Sequence, residues 1–144
     1  MNVATDWIVF LADDDEINNF LSRAVLEEFL PEDRVFDFTS PGQMLKTACS
    51  ISAQKAGCSF IFFIDINMPE YNGWELINQL KALPCFDFPG KDNIYILSSS
   101  INPADQEKAK KEMAISGFLE KPLGIKTVAE VFDNMNVTGR PIIE

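Results

Sequence analysis

The sequence of 144 residues contains no histidine, and this absence excludes several kinds of chemistry. Catalytic triads and dyads that use histidine as the general base cannot be assembled from these residues. A zinc site with imidazole ligands and a phosphohistidine on this chain are excluded for the same reason. Basic residues are also few, since 12 Lys and Arg stand against 22 Asp and Glu, for a net charge of −10. This acidity argues against a face that binds the nucleic-acid backbone.

Cysteine is scarce as well, and the three residues, Cys49, Cys58 and Cys85, form no CxxC pair. An odd number without that pair favours neither a disulfide framework nor a zinc knuckle, and indicates a reducing, cytoplasmic setting. The amino-terminal segment lacks the basic region of a signal peptide, and no apolar run approaches the roughly 20 residues of a membrane span. Because 47% of the residues are hydrophobic, we expect a real core. We expect a single domain over 1–144, with its core at about 7–135 and a short tail at 136–144.

Short apolar segments alternate with segments of helical periodicity along the chain. The predicted strands are 8–12, 34–39, 60–64, 94–97 and 117–120. The helices predicted between and after them begin near residues 17, 41, 74, 103 and 125, and the last extends to Met135. On the first helix, apolar residues at helical spacing form one face: Ile17, Phe20, Leu21, Ala24, Val25 and Phe29. A long turn-rich connection at 84–92 carries Phe86 and Phe88, which either cover the core or contact a partner.

This alternation predicts an α/β fold with helices on both faces of a parallel sheet. The chain lacks a glycine-rich dinucleotide loop after its first strand. We therefore expect a doubly wound (βα)5, flavodoxin-like fold with five parallel strands in the order 2-1-3-4-5. Ligands of such folds bind beyond the carboxyl ends of the strands.

Polar and charged residues follow several of the predicted strands at the point where each ends. They are Asp13 and Asp14 after the first, Asp65 after the third, Ser98 after the fourth and Lys121 after the fifth. Parallel strands bring these side chains to one edge of the sheet. Three neighbouring carboxylates repel one another, and a hard cation such as Mg²⁺ relieves that repulsion with oxygen ligands. A carboxylate in such a group can also act as a nucleophile toward a phosphoryl group.

Each of these residues also has an ordinary structural interpretation. The acidic run at 13–16 suits a helix N-terminus, and the serines at 98–100 suit a turn and cap before Pro103. Under the same ordinary interpretation, Asp65 is a loop residue and Lys121 is a solvated surface lysine. All of them stand at matching strand ends and in chain order, and this coincidence favours a shared chemical site.

The sequence resembles a response-regulator receiver domain of two-component signalling, of the single-domain type, over about residues 7–135. The segments that carry the resemblance are IVFLADDDE, FIFFIDINMPEYNGWELI, IYILSSS and GFLEKPL. The spacing from Asp65 through Asn67 and Pro69 to Gly73 is the most specific element. Ala12 and Ser99 depart from the usual residues, which are valine and alanine.

The resemblance implies a role for each site residue. Asp65 is implied as the phosphoacceptor, with Ser98 and Lys121 as its catalytic partners. Mg²⁺ or Mn²⁺ is implied on Asp13, Asp14, Asp65 and the backbone carbonyl of Asn67, whereas Asp15 is not expected to be a ligand. Ser98 and Phe118 are implied as the switch residues, although Phe118 also suits core packing.

The resemblance further implies a signalling module rather than an enzyme, which catalyses only its own phosphorylation and dephosphorylation. The phosphoryl donor is then a sensor histidine kinase or a histidine phosphotransfer protein. A downstream protein is expected on the face of the fourth helix, fifth strand and fifth helix, with no nucleic acid or membrane as partner. We expect a monomer or weak dimer. The nine residues after the last predicted helix are too few for an output domain, and Met1 favours a natural start.

Three alternatives remain open on the sequence. A Mg²⁺-dependent phosphatase of the haloacid dehalogenase type also uses an aspartate nucleophile, but normally has a second acid where this chain has Asn67. A flavodoxin-like cofactor binder needs a phosphate-cradling loop, which the acidic run at 13–16 would repel. A receiver-like module that binds partners without phosphorylation is the third.

Overall fold

Five strands and five α-helices alternate in the computed structural model, which describes residues 7–55, 57–68, 72–99 and 102–134. The strands are β1 (Trp7–Ala12), β2 (Val35–Phe38), β3 (Ser59–Asp65), β4 (Asn93–Ser98) and β5 (Ile115–Glu120). The helices are α1 (Glu16–Leu26), α2 (Pro41–Gln54), α3 (Gly73–Ala82), α4 (Pro103–Lys111) and α5 (Ile125–Asn134), with a short 3₁₀ turn at Glu32–Arg34. Pro69, Met135 and the predicted tail at 136–144 lie outside the described residues.

The strands form one parallel sheet in the order β2-β1-β3-β4-β5. This confirms the predicted flavodoxin-like topology. The strand order reverses between β1 and β3, which are neighbours in the sheet. At the carboxyl ends of these two strands, Ala12 pairs with Ile64. Asp65 pairs with Leu97, which aligns the ends of β3 and β4 at the same edge.

Local capping signals explain where the helices begin. The Asp15 side chain accepts hydrogen bonds from the backbone of the first turn of α1, and the Ser40 side chain does the same for α2. At α3, Asn72 and Glu75 form a reciprocal capping box. The start of α3, directly beyond the β3 loop, is therefore specified by its own sequence.

Two hydrophobic clusters cover the two faces of the sheet. One packs α2 and α3 against alternate residues of the central strands, including Phe10 and Phe62. The other packs α1 and α5 against the intervening residues, including Leu11 and Phe63. Because the inner strands are buried on both faces, their sequences read as continuous apolar runs.

The apolar face that the sequence shows on α1 is largely exposed. The exposed fraction is 69% for Ile17, 71% for Phe20 and 45% for Leu21. The residues that α1 buries are Asn19, Ser22 and Leu26. The fourth helix ends at Lys111, and β5 begins at Ile115, two residues before the start predicted for the fifth strand.

The long connection between α3 and β4 is folded against the core. Phe86 is buried, and its ring lies 5.3 Å from the rings of both Phe60 and Phe62. The buried carboxylate of Asp92 accepts hydrogen bonds from the backbone N–H of Phe60 at 2.8 Å and of Asp87 at 2.9 Å. Of the two roles open for this connection, the structure thus shows that Phe86 covers the core. Within the described ranges, no helix has the length and apolar character needed to cross a membrane.

Candidate functional site

The candidate site lies at the carboxyl edge of the sheet, where four strands end. Asp13 follows β1, Asp65 ends β3, Ser98 ends β4 and Lys121 follows β5. The exposed fraction is 2% for Asp13 and 3% for both Asp65 and Ser98, while Asp14 is exposed. The parallel topology therefore brings residues that are far apart in sequence to one largely buried place.

Lys121 connects the two buried carboxylates. Its Nζ lies 3.0 Å from Asp13 Oδ2 and 3.2 Å from Asp65 Oδ2, and its side chain is only 9% exposed. The backbone N–H of Lys121 donates to the carbonyl oxygen of Ser98 at 2.7 Å, which fixes the lysine to the end of β4. The interpretation of Lys121 as a solvated surface lysine is therefore wrong.

Three carboxylates form a compact acidic group beside this lysine. Asp13, Asp14 and Asp65 each offer an oxygen atom, and these atoms lie within 4.8 Å of one another. One ammonium group balances only part of three negative charges at such separations. The hard oxygen donors and the exposed third carboxylate fit Mg²⁺, which keeps several waters when it binds protein carboxylates. The residues present thus suit the cation that the sequence resemblance implies.

Tight turns hold the other oxygen of each buried carboxylate. The backbone N–H of Asp15 donates to Asp13 Oδ1 at 2.9 Å, and that of Asn67 donates to Asp65 Oδ1 at 3.0 Å. The Asp15 side chain itself caps α1. Both buried carboxylates are consequently fixed in orientation by their own loops.

The electrostatic environment of Asp65 disfavours its ionised form. The pKa of Asp65 is raised to about 6 by the balance of four effects. Burial is the largest and raises the pKa, the Asn67 N–H lowers it, the negative charge of Asp13 raises it, and Lys121 lowers it. For Lys121, burial lowers the pKa, but the hydrogen bond to Asp13 and the charges of both aspartates outweigh burial and raise it. Lys121 therefore stays protonated while Asp65 becomes ionised only near neutral pH.

Two residues support the site in ways that the sequence analysis did not assign. The buried Asn19 side chain donates to the carbonyl oxygens of Asp13 at 2.9 Å and Phe38 at 3.1 Å, tying the acidic loop to α1 and the end of β2. Asn19 lies opposite the apolar face that the sequence shows on α1, so sequence periodicity gave no signal of its burial. Gly73 lies so close to β3 that a Cβ atom there would stand 2.7 Å from the Asp65 carbonyl oxygen and from Ile66 Cα.

The remaining site residues predicted from sequence lie around this centre. Asn67 is exposed directly after the β3 turn, and Ser99 is exposed after Ser98. Phe118 is half-buried, pairs with Ile96 across β4 and β5, and packs against the cluster on the α2 and α3 face. The structure thus brings together Asp13, Asp14, Asp65 and Lys121, and places Phe118 on the same sheet, three residues before the lysine.

Comparisons with known proteins agree with this architecture. The cyclic di-GMP phosphodiesterase response regulator RpfG of Xanthomonas campestris pv. campestris is 27% identical over 115 residues, which are 80% of this chain. The chain spans only 28% of the length of that relative.

Solved structures extend the likeness to the whole fold. A two component response regulator from Cytophaga hutchinsonii superposes with a TM-score of 0.75 at 32% identity, covering 90% of this chain and 96% of the other. A response regulator receiver protein from Dyadobacter fermentans gives a TM-score of 0.74 at 21% identity, covering 92% and 99%, and shows the shared fold. Residues 9–133 match the family model for the response regulator receiver domain. The chain therefore belongs to the response regulator receiver domain family.

Proposed function

We propose that this receiver accepts a phosphoryl group on Asp65 from a phosphohistidine of a partner protein, in a reaction that depends on Mg²⁺ or Mn²⁺. The observation that carries this proposal is the contact of Lys121 Nζ with both Asp13 and Asp65 beside the three-carboxylate group. An ion pair serving only stability would not require two further acids at the same place. The full set of acceptor, countercharge and cation ligands supports phosphoryl transfer.

The metal ligands in this proposal are the carboxylates of Asp13, Asp14 and Asp65 and the backbone carbonyl of Asn67. A bound divalent cation supplies positive charge that neutralises the carboxylates and the incoming phosphoryl oxygens. Asp14 is exposed, so this ligand lies on the solvent side, while the two buried aspartates are held by their backbone turns.

In the transfer step, a carboxylate oxygen of Asp65 attacks phosphorus and the bond between phosphorus and the donor imidazole nitrogen breaks. Lys121 balances charge on one phosphoryl oxygen, and the Ser98 hydroxyl donates a hydrogen bond to another. Hydrolysis of the aspartyl phosphate by water later regenerates the carboxylate. Because the 144 residues include no histidine, the donor imidazole lies outside this chain.

The switch in this proposal runs from Ser98 to the face of α4, β5 and α5. Phosphorylation adds charge and acceptor oxygens beside Ser98, which moves toward them. Phe118 borders a groove of about 200 Å³ between α4 and β5, where Ala109, Lys110 and Ile115 also lie. Inward rotation of the Phe118 ring would change the shape of that groove, and so the partner that this face prefers.

The proposed partners are a sensor histidine kinase or histidine phosphotransfer protein as donor and a downstream protein as target. The net charge of −10 supports protein partners rather than nucleic acid or a membrane surface. We propose that residues 1–144 act as one domain in the cytoplasm, as a monomer or weak dimer. The module acts on itself and turns over no external substrate.

Binding of beryllofluoride, which mimics a phosphoryl group on an aspartate, tests this function. Titration with beryllofluoride in the presence of MgCl2 should give saturable binding to the wild-type chain, measured by calorimetry or by backbone amide NMR. The Asp65→Asn variant, which keeps the size of the side chain, and wild type in EDTA should show none. Steady turnover of p-nitrophenyl phosphate would instead favour a dehalogenase-type phosphatase.

A further inference from the structure

A groove between α3 and α4 lies outside the aspartate site. Its volume is about 210 Å³, and it is lined by Trp74, Ile77, Asn78, Lys108, Lys111 and Glu112. The groove between α4 and β5, which Phe118 borders, shares none of these residues. The groove between α3 and α4 is therefore a separate surface from the face of α4, β5 and α5.

The charge of this groove is opposite to that of the chain as a whole. Lys108 and Lys111 are both exposed, and neither forms an ion pair with a carboxylate among the residues that the structure describes. Glu112 is the one acid among the six lining residues, and Lys81 Nζ lies 2.8 Å from its Oε1. This hydrogen bond is the largest cause that holds the pKa of Glu112 below its usual range. Two uncompensated ammonium groups thus line a groove on a chain with a net charge of −10.

An aromatic ring gives the same groove an apolar surface. Trp74 is half-buried at the start of α3, and Ile77, almost one turn later on that helix, is buried. Lys108 Nζ lies 4.5 Å from the centre of the Trp74 ring, in a cation–π contact that joins the two helices. Lysines in the last turn of α4 also complement the helix dipole, but the dipole does not require a lysine over a ring of another helix. The ring contact therefore holds a positive charge next to an apolar surface.

We propose that this groove binds an acidic segment of a partner protein that carries one large apolar side chain between its carboxylates. The apolar side chain packs on Trp74 and Ile77, and the carboxylates pair with Lys108 and Lys111. The exposed amide of Asn78 hydrogen-bonds to the backbone of the segment. A volume of about 210 Å³ lies below the roughly 300–1,000 Å³ of pockets that enclose small molecules, which favours side chains presented by a partner.

This docking site is independent of the proposed phosphoacceptor function. None of the six lining residues belongs to the group of three carboxylates or to the ion pairs of Lys121. The acidic segment should therefore bind the unphosphorylated chain in EDTA. Because attraction between exposed charges is screened by salt, its affinity should fall as the ionic strength rises.

An NMR titration of the complete chain with a defined peptide tests the proposal. The probe is a capped pentapeptide with two glutamates on each side of one phenylalanine, added in low-salt buffer with EDTA. We expect saturable shifts of the Trp74 indole N–H and of the backbone amides at 108–112. A peptide with glutamines in place of the glutamates, and one with alanine in place of the phenylalanine, should each bind at least about fivefold more weakly. Addition of about 0.5 M NaCl should weaken binding of the probe by a similar factor.

Lysine variants of α4 separate this groove from general attraction between charges. Lys108→Gln and Lys111→Gln should each lower the affinity for the probe at least about fivefold, while circular dichroism confirms the native fold. Lys110→Gln is the matched control, because it changes the net charge equally but Lys110 lines the groove between α4 and β5 and lies 4.0 Å from Glu107. Its affinity should stay within about twofold of wild type.

Several results would overturn the proposal. One is the absence of saturable shifts with the probe, and another is equal binding of either control peptide. An equal loss of affinity in Lys110→Gln would show attraction to α4 as a whole rather than docking in this groove. Tighter binding of ATP than of the probe at Trp74 would assign the groove to a nucleotide instead of a protein segment.

Discussion

Lys121 Nζ lies 3.2 Å from Asp65 Oδ2, although the two residues are 56 positions apart in the sequence. The same ammonium group lies 3.0 Å from Asp13 Oδ2, so it separates two buried carboxylates that would otherwise face each other without a countercharge. The arrangement makes the lysine both part of the proposed phosphoryl site and a structural requirement of the metal-free protein.

We expect Lys121→Ala to lower the free energy of unfolding by about 1–3 kcal/mol at pH 7.5 in EDTA, because it leaves buried carboxylates uncompensated. MgCl2 should restore part of this loss by supplying positive charge to the same group. Urea denaturation with and without MgCl2 measures both effects. The variant should still bind beryllofluoride, while signalling through the partner face is impaired.

Lys126→Ala on α5 is the matched control, because Lys126 is an exposed lysine on a nearby element. Its substitution should change the free energy of unfolding by no more than about 0.5 kcal/mol. Equal stability of the Lys121 and Lys126 variants in EDTA would show that the ion pair does not organise the site.

The raised pKa of Asp65 predicts how stability depends on pH. The folded-state pKa of Asp65 is about 6, above the ordinary value of an aspartate. The stability that protonated Asp65 contributes is therefore fully present at low pH and is lost as the pH rises through 6. In EDTA, we expect wild type to lose about 1 kcal/mol between pH 5 and pH 7.5 relative to Asp65→Asn, which cannot ionise. Urea denaturation of both proteins at the two pH values measures the difference.

The opposite sign, with wild type gaining stability over Asp65→Asn as the pH rises, would mean that Lys121 more than compensates the burial of Asp65. Binding of Mg²⁺ should follow the reverse trend and weaken below pH 6, since the ligand is the ionised carboxylate. Calorimetric titration with MgCl2 at the two pH values gives this second readout.

The close approach of α3 to β3 makes Gly73 sensitive to any side chain. A Cβ atom at Gly73 would stand 2.7 Å from backbone atoms of Asp65 and Ile66, so α3 must shift. We expect Gly73→Ala to cost about 1–3 kcal/mol of folding free energy and to weaken beryllofluoride binding, because the Asp65 loop moves with it. Thermal unfolding and beryllofluoride titration measure the two effects.

Gly42→Ala is the control for this substitution. Gly42 is also helical, but a Cβ atom there would meet its nearest heavy atom, Ser40 Oγ, at 3.9 Å. We expect this variant to gain about 0.5–1 kcal/mol, because alanine favours the helix over glycine. If both glycine variants behaved alike, the contact between Gly73 and the Asp65 backbone would be unimportant.

Asn19 should be needed to hold the acidic loop in place. Asn19→Ala removes two hydrogen bonds from buried carbonyl oxygens and should cost about 1–3 kcal/mol. Mg²⁺ affinity should also fall, since the Asp13 loop loses its tie to α1. Asn18→Ala, one position away and less buried, should have little effect on either quantity. Unchanged Mg²⁺ affinity in the Asn19 variant would limit its role to stability.

The order of elements and most of the site could be predicted because their signals are local. The apolar runs that form β1 and β3 are buried on both faces, and the charged residue at each carboxyl end follows from chain order once the sheet is parallel. Sequence periodicity groups Ile17, Phe20 and Leu21 on one face of α1, but it does not say which face packs. That choice depends on Asn19, whose side-chain hydrogen bonds join α1 to the loop after β1 and to the end of β2.

The reason why position 73 must be glycine likewise could not be predicted from the sequence. The spacing of Gly73 from Asp65 carries the family resemblance, but the need for glycine comes from a backbone contact across the β3–α3 loop rather than from a turn conformation. The pKa of Asp65 depends on its burial and on Asp13, which only the assembled sheet brings together.

Intact mass spectrometry after incubation with acetyl phosphate and MgCl2 tests the central claim most directly. The account predicts one added phosphoryl group on wild type, an increase of about 80 Da that is labile at high pH, and no adduct on folded Asp65→Asn or on wild type in EDTA. A folded wild-type protein without the adduct, or an equal adduct on Asp65→Asn, would contradict the assignment of Asp65 as the phosphoacceptor.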